Sequence, residues 1–193
     1  MSAVRRVLVV GACGRMGEQV RAWVNRHEGL ALAAAVEAPG HARLDDEIEP
    51  GVRLGSDLRK ALAGCDVAID FTTPKATLAG LRAAAEAGVA YVTGTTGFSE
   101  EESQQIASTA SRIAVVHAPN FSVSVNVLGW LAREAARRLG PEFDAELFEL
   151  HHAAKRDAPS GTALFLAQAV ADGQARRLRD HLERGNLAPA ALR

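Results

Sequence analysis

Two adjacent histidines, with a lysine three residues on, stand in the segment Glu149-Leu150-His151-His152-Ala153-Ala154-Lys155-Arg156-Asp157-Ala158-Pro159-Ser160-Gly161-Thr162-Ala163-Leu164. His151, His152 and Lys155 therefore crowd three proton-carrying groups into one short stretch. An imidazole titrating near neutrality passes a proton in either direction, and an ammonium beside an anion stays charged and can donate one. The Pro-Ser-Gly-Thr that follows opens an apolar helix with Ser160 as its simplest N-cap, and the N–H groups of a helix start hold an anion. The segment suits a small, negatively charged substrate that must be protonated. Two plainer readings compete, a zinc site and a basic surface turn. No cysteine or carboxylate with suitable ligand spacing lies nearby, so no metal is expected. A surface turn accounts for Lys155-Arg156-Asp157 alone, but not for the histidine pair before it and the helix-opening residues after it. Asp157 reads as a structural residue that orients the loop or the lysine.

A second site stands at the start of the chain. The apolar run Arg6–Val10 leads into Gly11-Ala12-Cys13-Gly14-Arg15-Met16-Gly17, a G-x-x-G-x-x-G variant of the dinucleotide fingerprint. The first glycine allows a tight turn, the next lets backbone approach a pyrophosphate, and the last lets helix and strand pack closely. Gly11, Ala12, Cys13, Gly14, Arg15 and Met16 form the expected cofactor cradle. Arg15 reads as a phosphate contact or, more plainly, an exposed turn residue, and Cys13 as a small filler without redox chemistry. The helix that follows carries Val20, Trp23 and Val24 on one face. The next apolar run, Leu30–Val36, ends in Glu37, about 20 residues past the glycines, where a ribose-binding carboxylate belongs; the plainer reading is a solvated acid at a strand end. NAD(P)H is the implied cofactor. The Glu37 charge would repel a 2′-phosphate, and Ala38-Pro39-Gly40 offers no arginine to offset it, so NADH should bind at least as well as NADPH. His41 and Arg43 lie close enough to keep that open.

These residues need elements to carry them. Strand and helix signals alternate to about residue 120, the pattern of a Rossmann-type α/β parallel sheet with helices on both faces. A polar, turn-rich stretch runs from Ala38 to Glu47, and Val67–Phe71 is the next clear strand. Thr73 caps a helix with Pro74 at its first position and Gly88 at its end. After a short strand over Val89–Val92, Ser99 and Glu102 make a capping box for a helix reaching Arg112. Ile113–Val116 is the fifth strand. Gly11–Gly17, Glu37, Thr72–Thr73, Gly94–Thr96 and Ala118–Phe121 all fall at strand ends, where ligands lie in open α/β sheets. A helix over Val123–Leu139 is stopped by Gly140-Pro141, a strand over Ala145–Leu150 delivers His151, and a helix over Gly161–Ala171 is apolar enough to be buried. Ala175–Arg184 is a charged helical pattern. The expected domains are 1–122, for the dinucleotide, and 123–193, an incomplete mixed α/β substrate domain.

Taken together, these motifs resemble the 4-hydroxy-tetrahydrodipicolinate reductase (dihydrodipicolinate reductase) family. The resemblance spans about residues 5–172 and rests on five patterns in order. They are Gly11–Gly17, Asp70-Phe71-Thr72-Thr73-Pro74, Gly94-Thr95-Thr96-Gly97, Ala118-Pro119-Asn120-Phe121-Ser122 and the segment from His151 to Ala163. It implies that His151 is the catalytic acid/base and Lys155 the proton donor, and that His152, Ser160, Gly161 and Thr162 hold the substrate's carboxylates. Gly94, Thr95, Thr96, Ala118, Pro119, Asn120 and Phe121 resemble the family's loops around the nicotinamide; as bare sequence they are turn-formers at strand ends. The implied reaction is NAD(P)H-dependent reduction of 4-hydroxy-tetrahydrodipicolinate in lysine and diaminopimelate biosynthesis. Ser124 stands where the family pattern has glycine, a change a helix start accepts. The resemblance also implies further strands beyond Arg193, with an oligomer contact. The chain thus reads as truncated, its homo-oligomer is in doubt, and the alternative is an inactive NAD(P)-binding module. An aspartate dehydrogenase is a poorer match because it lacks the histidine pair.

The bulk properties agree. A net charge of −1 argues against a nucleic-acid surface or a disordered acidic tail. An apolar share of 48% with only 5% aromatic residues fits an α/β core of small side chains. No apolar run approaches a membrane span, the first strand leaves no room for a signal peptide, and two cysteines without CxxC spacing suggest reduced thiols, so a cytoplasmic protein is expected.

Overall fold

The computed structural model describes residues 3–151 and 159–178, and the chain divides into two units, Met1–Pro119 and Asn120–Arg193. In the first unit β1 (Arg5–Val10) leads into α1 (Arg15–Arg26) and β2 (Leu30–Val36), then into β3 (Glu47–Glu49), β4 (Val52–Gly55) and a short α2 (Leu58–Leu62). β5 (Val67–Asp70), α3 (Pro74–Ala87), β6 (Ala90–Thr93), α4 (Glu100–Thr109) and β7 (Val115–His117) complete it. The seven strands lie in the order β3-β4-β2-β1-β5-β6-β7, and every pairing is parallel except that of β3 with β4. β1 is buried on both faces, which is why its sequence is an unbroken apolar run. Leu8 and Val10 pack with residues of α2, α3 and α4, while Val7 and Val9 pack with Val24 of α1 on the other face. This is the expected Rossmann-type sheet.

The caps follow the sequence. Thr73 Oγ1 accepts from Ala76 N, Pro74 opens α3, and Gly88 closes it in the left-handed region at φ 70°. Ser99 and Glu102 form the full capping box of α4, which ends at Thr109 rather than Arg112. β7 begins two residues later than expected, because its register is set by pairing with Tyr91–Thr93. Between the polar stretch that ends at Glu47 and the strand at Val67, the sequence reading assigns no element, yet the chain forms β3, β4 and α2 there. β3 is only Glu-Ile-Glu, and β4 buries just Val52 and Leu54, too few positions for alternation to register.

On the apolar face of α1, Trp23 is 57% exposed, and the buried row of the helix is Gly17, Arg21 and Val24. Arg21 earns its buried place through three acceptors. Its Nε donates to Ala12 O at 3.0 Å, and its Nη1 donates to Ile48 O at 3.2 Å and to Glu49 Oε1 at 2.7 Å.

The second unit contains α5 (Val123–Leu139) and α6 (Gly161–Gly173), packed on each other. Gly129 lies under the Phe165 ring, where a Cβ would come within 2.5 Å of Cε1. α6 is less buried than its sequence suggested, with only Ala163 and Ala171 fully buried. The strand expected over Ala145–Leu150 is absent: no described residue pairs with this segment, and a strand without a neighbour has no ladder to hold it. His152, Lys155, Asp157 and most of the charged pattern Ala175–Arg184 lie outside the described residues.

A buried polar chain ties the sheet to the glycine loop. Asp70 and Tyr91 are both 0% exposed, and the Tyr91 hydroxyl donates to Asp70 Oδ2 at 2.9 Å. Burial, reinforced by the neighbouring Asp70 charge, pushes the Tyr91 phenol well above its usual range, so it is always a donor here. Thr72 donates to Asp70 Oδ1 from its N–H at 2.8 Å and its hydroxyl at 2.6 Å. Its methyl group fills the place a side chain at Gly11 would take, 2.5 Å from that position. Tyr91→Phe should lower the urea-unfolding free energy by about 1–3 kcal/mol, since it removes a buried donor from a carboxylate. An unchanged midpoint would show that the Thr72 donors alone satisfy Asp70.

Candidate functional site

Sheet register brings the strand-end residues of the first unit to one edge. Val10 pairs with both Val36 and Asp70, Asp70 with Thr93, and Thr93 with His117. Gly11, Glu37, Phe71, Gly94 and Ala118 therefore all leave the sheet at the same level. Gly94 must be glycine there, since a Cβ would lie 2.0 Å from the Phe71 ring.

At this edge the glycine loop turns sharply. Gly11 adopts φ +68°, and the N–H groups of Gly11 and Ala12 both donate to Val36 O, at 2.9 and 3.2 Å. A Cβ at Gly17 would sit 2.1 Å from Gly11 O, so the helix start can close on the loop only without one. Gly14 is the N-cap of α1 and offers no side-chain oxygen to its first turn. It is exposed, and its Cβ position meets only Gly11 O, at 3.3 Å. Bare backbone at an uncapped helix start is what a pyrophosphate needs, so these residues fit a dinucleotide. Arg15 and Met16 are exposed beside it.

Glu37 is fastened to the loop. Its Oε1 accepts from Cys13 N at 2.9 Å and its Oε2 from Ala38 N at 3.1 Å. Donor atoms of Cys13, Glu37 and His41 all lie within 4.8 Å of one another. Burial pushes the Cys13 thiol up, and the Arg43 charge draws it partly back. His41, isolated in the sequence, thus stands with Arg43 near the carboxylate expected to meet the ribose.

Farther along the edge, the Thr77 hydroxyl donates to Thr95 Oγ1 at 2.9 Å, and Thr95 N donates to Thr93 Oγ1 at 3.1 Å. His117 Nε2 lies 3.3 Å from Thr95 O, and its ring meets Phe98 edge-on at 5.2 Å. Thr95 is buried and Thr96 exposed, while Ala118 is held by its N–H to Thr93 O at 3.2 Å.

In the second unit Asn120 joins the starts of both helices. Its Oδ1 accepts from Ser122 N at 2.7 Å, and its Nδ2 donates to Thr162 Oγ1 at 3.2 Å. Asn126 Nδ2 returns to Asn120 O at 3.0 Å. His151, Ser160, Gly161 and Thr162 are brought to one place by Glu149. Glu149 Oε1 accepts from Ser160 N at 2.8 Å, and Oε2 accepts from the Ser160 hydroxyl and lies 2.8 Å from His151 Nε2. The Ser160 hydroxyl, His151 and Ser160 N–H together hold the Glu149 carboxyl down to about 2, so it is ionised at any ordinary pH. Ser160 Oγ also accepts from Ala163 N at 3.0 Å, which makes it the N-cap of α6, as expected.

Sequence reasoning assigned no role to Arg21, Tyr91 or Glu149. Arg21 is a charged residue within an apolar helix pattern, and Tyr91 and Glu149 stand among apolar neighbours in sequence. The one available signal was the spacing of Glu149, two residues before a histidine and eleven before a helix cap.

Comparison with known proteins places this arrangement. Residues 5–121 match the family model for the dihydrodipicolinate reductase N-terminus, and residues 124–191 match that for its C-terminus. The 4-hydroxy-tetrahydrodipicolinate reductase of Anaeromyxobacter sp. strain Fw109-5 is 49% identical over 181 residues, covering 91% of this chain and 68% of its own. That of Anaeromyxobacter dehalogenans strain 2CP-1 is 45% identical over 184 residues, covering 92% and 68%. This chain therefore spans about two thirds of the length of these relatives. Among solved structures, a dipicolinate-bound dihydrodipicolinate reductase from Paenisporosarcina sp. TG-14 superposes with a TM-score of 0.75 at 29% identity, covering 97% of this chain and 73% of that one. The chain belongs to the dihydrodipicolinate reductase family.

Proposed function

We propose that this protein reduces 4-hydroxy-tetrahydrodipicolinate to tetrahydrodipicolinate and water with NAD(P)H, in diaminopimelate and lysine biosynthesis in the cytoplasm. The observation that carries the reading is the pairing, within a member of this family, of an uncapped glycine-loop helix start with a carboxylate-bound histidine beside a second helix start. Bound nicotinamide supplies the hydride. The chain's own residues hold, orient and protonate. Gly11–Met16 take the phosphates, and Glu37 takes the ribose hydroxyls. Thr95, Thr96 and the loop from Ala118 to Phe121 border the nicotinamide.

Gly161 and Thr162, with His152, hold the substrate's carboxylates, as backbone N–H groups at a helix start are suited to do. His151 acts as acid/base, and Lys155 donates the proton that balances hydride addition and loss of water. The roles of His152 and Lys155 rest on the family motif. No helix among the described residues is long and apolar enough to cross a membrane.

Gly14→Val should weaken NADH binding at least about tenfold in titration calorimetry, because a side chain there blocks the close approach of backbone to pyrophosphate. Its Cβ would also stand 3.3 Å from Gly11 O, so the affinity is read on variant protein shown by its thermal midpoint to be folded. Side-by-side titration of the unaltered chain should show NADH bound at least as tightly as NADPH. Unchanged NADH affinity in the variant would refute the loop assignment.

A reductase assay with freshly generated substrate tests the activity itself. Lys155→Ala should lower turnover by about 10²–10⁴ with little effect on NADH affinity. NADH binding without any turnover by the unaltered chain would instead identify a nucleotide-binding module.

A further inference from the structure

We infer that Glu149 is a positioning residue for this reaction: it fixes the His151 ring as the Nε2–H tautomer, ties it to the cap of α6, and leaves Nδ1 to exchange the proton. The chemical purpose rests on the function proposed above, but the geometry stands without it.

A single carboxylate here gathers three donors. Oε1 takes Ser160 N–H at 2.8 Å, and Oε2 takes the Ser160 hydroxyl and, at 2.8 Å, His151 Nε2. An ionised carboxylate accepts and never donates, so the proton of the His151 contact must sit on Nε2. A neutral imidazole carries one N–H, which leaves Nδ1 bare as the acceptor. When the ring is protonated, Nδ1 holds the transferable proton and Nε2 stays with Glu149. The carboxylate orients an acid/base histidine through the nitrogen away from the chemistry.

The same group divides labour at the start of α6. Ser160 donates its N–H and its hydroxyl to Glu149 and accepts from Ala163 N with its oxygen at 3.0 Å. Its side chain is thereby engaged as a cap. The N–H groups of Gly161 and Thr162 are what the cap leaves to an incoming carboxylate. His151 is thus held at a fixed distance from the place where the substrate is anchored.

Long-range ¹H–¹⁵N correlation spectra of the 193-residue chain with labelled histidine test this directly. His151 is assigned by loss of its signals in His151→Gln. In its neutral form, identified by the ¹⁵N shifts themselves, the His151 ring should show the Nε2–H tautomer alone. Glu149→Ala should mix the tautomers, whereas Ser160→Ala, which spares the carboxylate, should not. A substantial Nδ1–H population in the unaltered chain would overturn the proposal, whether or not any variant folds, and so would an unchanged tautomer in folded Glu149→Ala. In the reductase assay, Glu149→Gln should cut kcat about tenfold or more while moving KM and NADH affinity less than about threefold. Loss of KM and NADH affinity in step with kcat would mark a merely structural role. If the unaltered chain turns nothing over, the functional reading fails, while the tautomer measurement still decides the role of Glu149.

Discussion

A carboxylate sealed away from water must be fully bonded, and the first unit is arranged around that demand at Asp70. Its three donors come from Thr72 on the same strand end and from Tyr91 on the next strand. Gly80 yields the space the phenol needs, since a Cβ there would lie 2.1 Å from the Tyr91 hydroxyl. Thr72, once oriented, becomes the wall against which Gly11 turns. A helix glycine, a strand tyrosine, a buried acid and a loop glycine thus form one mechanical line ending at the nucleotide loop. Arg21 braces the other side of that loop by holding Ala12 O and reaching to Glu49.

How much of this could be read from the chain depended on the range of the signal. Local rules succeeded: Thr73-Pro74 with Gly88, the Ser99–Glu102 box, and the span Val123–Leu139 all appear as expected. Those features are decided within a turn or two of helix. β3 and β4 escaped because three- and four-residue strands carry no period, and they exist through pairing with each other and with β2. Trp23 lies outside the buried row of α1 because the helix face is chosen by what packs opposite. There a buried arginine with three acceptors outcompetes an indole.

The same distinction separates the two halves of the candidate site. The glycine loop and Glu37 are legible because their spacing is itself the geometry. The histidine motif announces proton chemistry, but the carboxylate bonded to His151 is itself anchored by a helix cap eleven positions along the chain. Nothing in the periodicity of Ala145–Leu150 hints at it, and that segment lacks the strand pairing its alternation suggested. What places His151 here is a side chain bonded to a helix cap.

The position of β1 in the sheet carries a consequence for the order of folding. The first strand made is the central one, flanked by β2 and by β5. Its second partner arrives late: Arg6 N–H is bonded to Asp66, sixty residues along the chain. Closing a loop of that length is entropically opposed before any ladder bond rewards it, so formation of the nucleus waits on distant chain. Until Val67–Asp70 docks, one edge of an apolar strand stands unpaired, the condition under which nascent chains associate with one another. Efficient production of this protein therefore depends on how quickly residues near 70 follow those near 10, a kinetic property set by topology alone.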